Sequence, residues 1–186
     1  MDEINDLIAD YCLHKTVDEK AYKSARIALM DALGCAILSL QFPECKKLLG
    51  PLVAGTIVPK GSRVPGTSFV LDPVTGAFNI SCMIRWLDFN DTWLGKEWAH
   101  PSDNIGAILS VGDYLSQKGP SLTMRKILTA IIKAYEIQGI IALQNSFNSI
   151  GLDHVILVKI ASAAVVTELL GGNKQQIMDA LSHAWT

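Results

Sequence analysis

The sequence predicts an all-α domain of the helical-bundle type, and three observations support that prediction. Hydrophobic residues make up 49% of the 186 residues and charged residues only 18%, which is enough apolar material for a folded core. Apolar residues recur at the three- and four-residue spacing of a helical face along most of the chain. The pattern lacks the alternating strands and helices of a parallel sheet, and it lacks an internal repeat. The length suits one domain or one part of a larger protein.

Two helices are predicted at the N-terminal end. A helical face is formed by Ile4, Leu7, Ile8 and Tyr11, and the polar break at 14–17 ends that helix. Thr16 and Glu19 stand three residues apart, so we expect a capping box that opens the second helix. Beyond them, a stripe of small residues runs from Ala21 to Leu40 and suits close helix packing. We therefore expect this second helix to be central.

A short helix and an irregular segment follow. Pro43 predicts the start of the short helix and Gly50 predicts its end. The segment at about 51–72 is rich in turn residues, namely Pro51, Gly55, Pro59, Gly61, Pro65 and Gly66. This composition predicts an irregular or extended connection, within which a small hairpin is one alternative.

Two helices flank the most polar loop of the chain. Asp72 and Pro73 form an N-cap and first-turn pair, which predicts a helix ending at about Trp86. Ser102 is the expected cap of the next helix, which should end at about Gln117.

Three further helices are predicted in the C-terminal part. They begin at Thr123, at about Asp153, and at Asn173 with Gln176. The second of these should end at Gly171-Gly172. The last one reaches Trp185-Thr186 without a terminating glycine, proline or polar tail, so we expect an interrupted protein.

Charge and cysteine usage exclude several classes of function. Sixteen Lys and Arg against 18 Asp and Glu give a net charge of −2, so we expect no nucleic-acid partner and no anionic membrane partner. The long apolar stretches contain charged residues, which argues against membrane spans, and the N-terminus lacks a secretory pattern, which predicts a cytoplasmic protein. The cysteines lack paired CxxC spacing and are interpreted as small core residues: Cys12, Cys35, Cys45 and Cys82.

Most of the candidate catalytic residues lie in the loop at 88–104. Carboxylates, hydroxyls and imidazole alternate there with tryptophans, between two apolar helices. Such a loop can present an acid–base site, and the N–H groups of the following helix favour a substrate carboxylate. The alternative is a surface loop with Asx turns and a tryptophan lid. On the residues alone, the surface loop is the preferred interpretation.

Several motifs together resemble the MmgE/PrpD family over nearly the whole chain. They are Arg85–Trp93 (RWLDFNDTW), His100–Asn104 (HPSDN), Gly151–Val155 (GLDHV) with its apolar helix, Cys45–Pro51 (CKKLLGP) and Arg63–Thr67 (RVPGT). The combination is more specific than any one of these short motifs.

The resemblance implies a metal-independent hydro-lyase without a cofactor. Its reaction is the removal of water from 2-methylcitrate to give 2-methyl-cis-aconitate in the methylcitrate cycle of propionate breakdown. Family members are homodimers with a large helical domain and a smaller α/β lid. The resemblance therefore implies that residues 1–186 are an incomplete helical domain, that the lid is absent, and that basic residues of the family's site lie in the absent part. Because those basic residues would hold the substrate carboxylates, we expect the chain by itself to be inactive.

The resemblance also assigns site residues. The catalytic set is His100, Asp88 and His154, and the substrate-binding set is Thr92, Asp91 and Ser102. His100 is the first choice for proton transfer, because an imidazole with a pKa near 6.5 can take or give a proton at neutral pH. Asp88 would orient an imidazole or hold its proton. We expect Asp88, Thr92 and His100 to face one cavity.

Several other residues are interpreted as structural or surface residues. His154 alone would be a partly buried capping residue, and only the resemblance favours a functional role. His14 and His183 are interpreted as surface residues, and Lys133 and Lys159 as side chains that extend from helix faces to water. Trp86, Trp93 and Trp98 are interpreted as packing residues that can also exclude water.

Two alternatives to the dehydratase remain open. One is a decarboxylase of the same family acting on cis-aconitate, whose relatives are expected to lack two of the residues between Asp91-Thr92 and His100. The other is a non-catalytic chain that pairs with a complete homologue through its helical surface. An assay for water loss separates the dehydratase from this last alternative.

Overall fold

Apolar faces at helical spacing fold into a bundle in the computed structural model, which describes residues 3–186. Within that range there are eight α-helices: α1 Glu3–His14, α2 Ala21–Ser39, α3 Pro43–Lys46, α4 Pro73–Arg85, α5 Ile105–Lys118, α6 Met124–Gln144, α7 Ile156–Leu169 and α8 Lys174–Ala184. Single 3₁₀ turns lie at Pro101–Asn104 and Asn148–Ile150. The all-α prediction is confirmed. Residues 1 and 2 of the predicted domain lie outside the described residues.

The segment between α3 and α4 contains a small hairpin, which was one of the alternatives that the sequence allowed. Strands β1 Ser62–Arg63 and β2 Val70–Leu71 pair antiparallel. Gly66 lies in the connecting turn with a φ of +73°, a conformation that side chains rarely adopt. The hairpin is fixed to α5 by Arg63, whose backbone N–H and guanidinium both donate to Asp113.

The predicted caps of three helices are confirmed. Asp72 accepts hydrogen bonds from two backbone N–H groups of the first turn of α4. Thr123 accepts from Lys126 N at the start of α6, and Asn173 and Gln176 form a reciprocal capping box at α8. In each case the cap and its target lie within three residues, so local sequence determines the contact.

Two predicted caps are wrong. At α2, Asp18 accepts from Lys20 N at 2.9 Å, while Glu19 forms an ion pair with Arg125 of α6 instead of closing a capping box with Thr16. At α5, Ser102 lies inside the 3₁₀ turn, and the helix begins three residues later at Ile105. At α2 the nearer carboxylate of Asp18 takes the place of the predicted cap, and at α5 the 3₁₀ turn occupies the predicted start of the helix.

Other boundaries move by a few residues. Helix α3 ends at Lys46 rather than Gly50, and Gly50 is held instead by Asn79 of α4, which accepts from its N–H at 2.6 Å. Helix α7 begins at Ile156, because Asp153 first accepts a hydrogen bond from Val155 N in the preceding turn.

The core lies where α2, α4, α5, α6, α7 and α8 meet. Its largest fully buried apolar side chains are Leu71, Ile80, Met83, Ile84, Ile105, Ile108, Ile131, Leu157, Ile160, Ile177 and Leu181. Cys12, Cys35 and Cys45 are buried as expected, and Cys82 is partly buried. Burial raises the pKa of the Cys12 thiol to about 12, so that side chain stays neutral.

Helix α6 is the central helix of the C-terminal half. It is long and apolar enough to cross a bilayer by length and composition, but 61% of that apolar window is buried inside the protein. Lys133 on this helix does not extend to water as expected. Its side chain is buried, and Nζ donates to the carbonyl of Cys12 at 2.5 Å, where the last turn of α1 leaves an acceptor free.

Candidate active site

The loop from α4 to α5 folds back on itself before it reaches the helix. Trp93 and Ala99 form an isolated antiparallel bridge, with Trp93 N donating to Ala99 O at 2.8 Å and Ala99 N donating back at 3.0 Å. The Trp93 ring lies against Gly139 of α6, where an added Cβ would be 2.7 Å from the ring. A glycine at this position of α6 thus lets the loop pack close to the helix.

Glu97 anchors the tip of the loop to the C-terminal end of α6. Its backbone N–H donates to Ala142 O at 3.0 Å, and its buried carboxylate accepts from Ser146 Oγ, Asn148 N and Asn148 Nδ2 at 3.0–3.1 Å. The hydrogen bond from Asn148 N holds the pKa of Glu97 below its usual value. Sequence reasoning missed Glu97, because its side-chain partners lie 49 and 51 residues further along the chain.

His100 is buried at the inner end of the loop with one ring nitrogen free. Its Nδ1 lies 2.6 Å from the carbonyl oxygen of Asp91. Because a carbonyl only accepts, Nδ1 carries the hydrogen, and the neutral ring then has its lone pair on Nε2. Nε2 is buried and makes no hydrogen bond to any described residue.

His154 has the same arrangement. Its Nδ1 lies 3.1 Å from Asp153 Oδ1, and its Nε2 is buried without a partner among residues 3–186. The centroids of the His100 and His154 rings are 6.2 Å apart. The fold thus brings together two histidines that are 54 positions apart, each with Nδ1 engaged and Nε2 available.

Trp98 contacts both imidazoles. Its ring stacks on His154 with centroids 4.9 Å apart and an interplanar angle of 25°. It meets His100 edge to face, at 5.4 Å and 81°. The sequence interpretation of Trp98 as a packing residue described only part of this environment.

Asp91 and Ser102 hold the loop together from inside. Asp91 Oδ1 accepts from Ser102 N at 3.1 Å, and Ser102 Oγ accepts from Asn90 Nδ2 at 2.8 Å. Because the carbonyl of Asp91 also engages His100, Asp91 links the 3₁₀ turn to the imidazole. Their assignment to substrate binding stays a prediction.

Asp88 and Thr92 lie on the exposed side of the loop, whereas His100 is buried. Asp88 has a φ of +55° and forms an ion pair with Arg85, which holds the pKa of that carboxyl below its usual value. In the described part of the chain no hydrogen bond joins Asp88 to His100. The structure therefore brings His100 and His154 together, but it does not bring Asp88 or Thr92 into contact with them.

Two further polar side chains near the loop were missed from sequence. Burial raises the pKa of Asp103, although Arg85 and His100 nearby oppose the shift. Tyr135 of α6 lies near Asp91 and Ser102, and burial raises its pKa, as does the Asp91 carboxylate. Its position inside an apolar helical face gave no functional signal in the sequence.

Unpartnered buried polar atoms concentrate at this loop. Within residues 3–186 they are Trp93 Nε1, His100 Nε2, Tyr135 Oη, Gln138 Nε2 and His154 Nε2. Each lies on the loop, on the part of α6 beneath it, or in the turn before α7. An unsatisfied buried polar group costs about 1–3 kcal/mol, so this cluster is a candidate place for ordered water or a polar ligand.

The arrangement can perform proton transfer. One Nε2 can accept a proton while the other donates one, and the two rings are close enough to act on neighbouring atoms of one small molecule. Among residues 3–186, no cluster of three His, Cys, Asp or Glu side chains has a geometry that could hold a metal ion.

Comparison with known proteins identifies similar chains. The model of the MmgE/PrpD N-terminal domain matches residues 3–186. The 2-methylcitrate dehydratase of Escherichia coli (strain K12) is 58% identical over 190 residues, covering 98% of this chain and 39% of the relative. The protein of the same name from Cupriavidus necator is 59% identical over 170 residues, covering 89% of this chain and 35% of the relative.

A eukaryotic relative extends this similarity. The mitochondrial 2-methylcitrate dehydratase of Yarrowia lipolytica is 49% identical over 189 residues, covering 98% of this chain and 36% of the relative. The chain thus spans about two fifths of the length of the curated relatives it matches.

Proposed function

This chain belongs to the MmgE/PrpD family, and from that premise we propose that it takes part in the dehydration of 2-methylcitrate to 2-methyl-cis-aconitate. The observation that carries the proposal is the pair of imidazoles, His100 and His154. Their ring centroids are 6.2 Å apart, and neither Nε2 atom makes a hydrogen bond to a described residue. The names of the relatives supply the substrate, and the match to the family model over residues 3–186 supports the transfer.

The reaction needs two proton transfers. A base removes a proton from carbon, the C–O bond breaks, and an acid protonates the departing hydroxyl to release water. We assign the first transfer to His100, because the neutral carbonyl of Asp91 leaves its Nε2 lone pair free. We assign the second to His154, because the Asp153 carboxylate beside its Nδ1 balances the charge of an imidazolium.

The remaining predicted residues act around this pair. Thr92, Asp91 and Ser102 are proposed to contact the carboxylates or hydroxyl of the substrate, and Asp88 is proposed to orient an imidazole when the substrate is bound. The exposed position of Asp88 and Thr92 leaves both accessible from solvent. The two imidazoles supply both proton transfers, so the proposed reaction uses neither a metal nor an organic cofactor.

We also propose a cytoplasmic homo-oligomer whose partners are a small tricarboxylate and further copies of the chain, rather than nucleic acid or membrane. The apolar side chains Leu7 and Ile140, which are 62% and 64% exposed on neighbouring helices, support self-association. Because the Yarrowia relative is named as mitochondrial, cell fractionation is the direct test of location.

The test is incubation of 2-methylcitrate with the chain alone and with a full-length version of the protein, and identification of the products by NMR. Appearance of 2-methyl-cis-aconitate with loss of the hydroxyl supports the proposal. Release of carbon dioxide from cis-aconitate instead would establish the decarboxylase alternative. Turnover of neither compound by the full-length version would contradict the proposal.

A further inference from the structure

The backbone on both sides of Trp98 is fixed to the bundle. Glu97, which precedes it, is buried and bonded to Ala142 and Asn148, while Ala99, which follows it, is fully buried and paired with Trp93. Loop tips are ordinarily among the more mobile parts of a protein. Here the two anchors determine where the Trp98 side chain can lie.

The Trp98 side chain is nevertheless left half exposed. The residue is 48% exposed, whereas its two neighbours are 3% and 0% exposed. A large aromatic surface in water is unfavourable, by about 25 cal/mol per Å² of apolar area. Rigid presentation of such a surface beside a site is typical of a ligand contact, because ordering the side chain then costs nothing on binding.

The position of the ring relative to the histidines makes that contact specific. One face of the indole stacks on His154, and its ring meets His100 edge to face. Because the indole centroid lies within 5.4 Å of both imidazole centroids, a substrate that contacts both imidazoles lies close to Trp98. At that point the indole offers apolar contact and no group that binds a carboxylate, apart from a single N–H.

We propose that Trp98 is the specificity-determining residue of the site, which positions both imidazoles and covers the alkyl group of an alkyl-bearing tricarboxylate. This inference rests on the proposed function, since it concerns which tricarboxylate the same site prefers. A hydrophobic pocket discriminates between two substrates that differ by one methyl or methylene group by at least about tenfold. We therefore expect about tenfold tighter binding of 2-methylcitrate than of citrate, which lacks the methyl group.

The experiment compares the binding of 2-methylcitrate and of citrate by calorimetry in four forms of a full-length version of the protein: wild type, Trp98→Phe, Trp98→Ala and Trp185→Phe. Trp185 stacks on Phe147 at 6.3 Å, so it is a matched aromatic control away from the histidines. We expect Trp98→Ala to abolish the preference, Trp98→Phe to keep part of it, and Trp185→Phe to leave it unchanged.

A spectroscopic measurement tests the geometry without any ligand. The stacked indole shields the ring protons of His154, so their NMR signals should lie upfield in wild type and in Trp185→Phe. The shift should be smaller in Trp98→Phe and lost in Trp98→Ala. Retention of the full upfield shift in Trp98→Ala would overturn the positioning role. If the alanine variant fails to fold, the same measurement is made on Trp98→Phe, where an undiminished shift would overturn the role.

The outcomes separate this inference from the function on which it rests. Equal binding of the two tricarboxylates by wild type, or an unchanged preference in Trp98→Ala, would overturn the role of Trp98 and leave the proposed dehydratase standing. Failure of wild type to bind either compound would overturn the proposed function, and the specificity inference with it.

Discussion

The proposed role of His100 depends on a single hydrogen bond. The Asp91 carbonyl fixes the hydrogen on Nδ1 and directs the lone pair of the neutral ring to Nε2. An amide or alkyl side chain cannot replace that lone pair, and general acid–base catalysis contributes about 10²–10⁴ in rate. We therefore predict that His100→Ala, made in a full-length version of the protein, lowers the turnover of 2-methylcitrate by about 10²–10⁴. Steady-state kinetics measure this.

The control for His100 is the exposed His14 at the end of α1. His14→Ala should keep the turnover of wild type, because that side chain lies at the surface. Full activity of His100→Ala, with product confirmed by NMR, would show that another group removes the proton.

Glu97 illustrates how a residue's environment determines its pH dependence. The pKa of its carboxyl is lowered in the folded protein, chiefly by the hydrogen bond from Asn148 N. The native state therefore stabilises the charged form, a contribution that is present above the unfolded pKa and is lost as pH falls through the folded pKa. We predict that Glu97→Gln lowers the free energy of unfolding near neutral pH, and that its difference from wild type shrinks as pH falls below the usual glutamate range.

Urea denaturation at a series of pH values measures the Glu97 effect. Glu44→Gln is the matched control, since Glu44 is exposed in α3 and should show little change at any pH. A difference between Glu97→Gln and wild type that stays constant through the acid range would contradict the assigned cause.

At the scale of elements, the two threonines that precede helices show that the same side chain does not always act as a cap. Thr123 caps α6 by accepting from Lys126 N, three residues on. Thr16 presents the same side chain before α2, but Asp18 and the Glu19–Arg125 ion pair determine that helix start. Sequence reasoning treated the two threonines alike, because the position of Arg125 relative to α2 becomes known only with the fold.

The two threonines give a matched prediction. Thr123→Ala should lower the free energy of unfolding by about 1 kcal/mol, the usual cost of losing a side-chain cap. Thr16→Ala should change it by less than about 0.5 kcal/mol, as is typical of a surface substitution. Equal losses in the two variants, measured by urea denaturation, would show that Thr16 does cap α2 in solution.

At the scale of the whole molecule, the periodic pattern predicted the all-α class. That prediction rests on apolar residues along the whole chain, so an error at a few of them does not change it. The pairing of His100 with His154 was expected only through a family resemblance, since no local rule joins a loop to a turn that lies beyond a 21-residue helix. Trp98, Glu97 and Tyr135 were not assigned to the site at all. Their roles depend on contacts across the bundle, which a single sequence without an alignment does not reveal.

The bundle also leaves an apolar surface uncovered, which we call the α1–α6 groove. It has a volume of about 540 Å³ and is lined mainly by Ile4, Leu7, Ile8, Tyr11, Ile137, Ile140, Ile141, Phe147 and Trp185. Of its polar lining residues, Tyr11 donates a hydrogen bond to Glu136, and Gln144 and Asn145 carry no charge. A charged partner would therefore find little complementarity, whereas a second copy of the same apolar surface would bury it.

We predict that two copies of the chain associate through the α1–α6 groove. Leu7→Glu and Ile140→Glu each place a charge in the contact, where desolvation is costly. Each should raise the dissociation constant of the dimer by about tenfold or more, equivalent to about 1.4 kcal/mol. Leu52→Glu is the matched control, because Leu52 is 94% exposed but belongs to the irregular segment and does not line the groove. Light scattering over a concentration series measures the association, and equal weakening by all three substitutions would place the contact elsewhere.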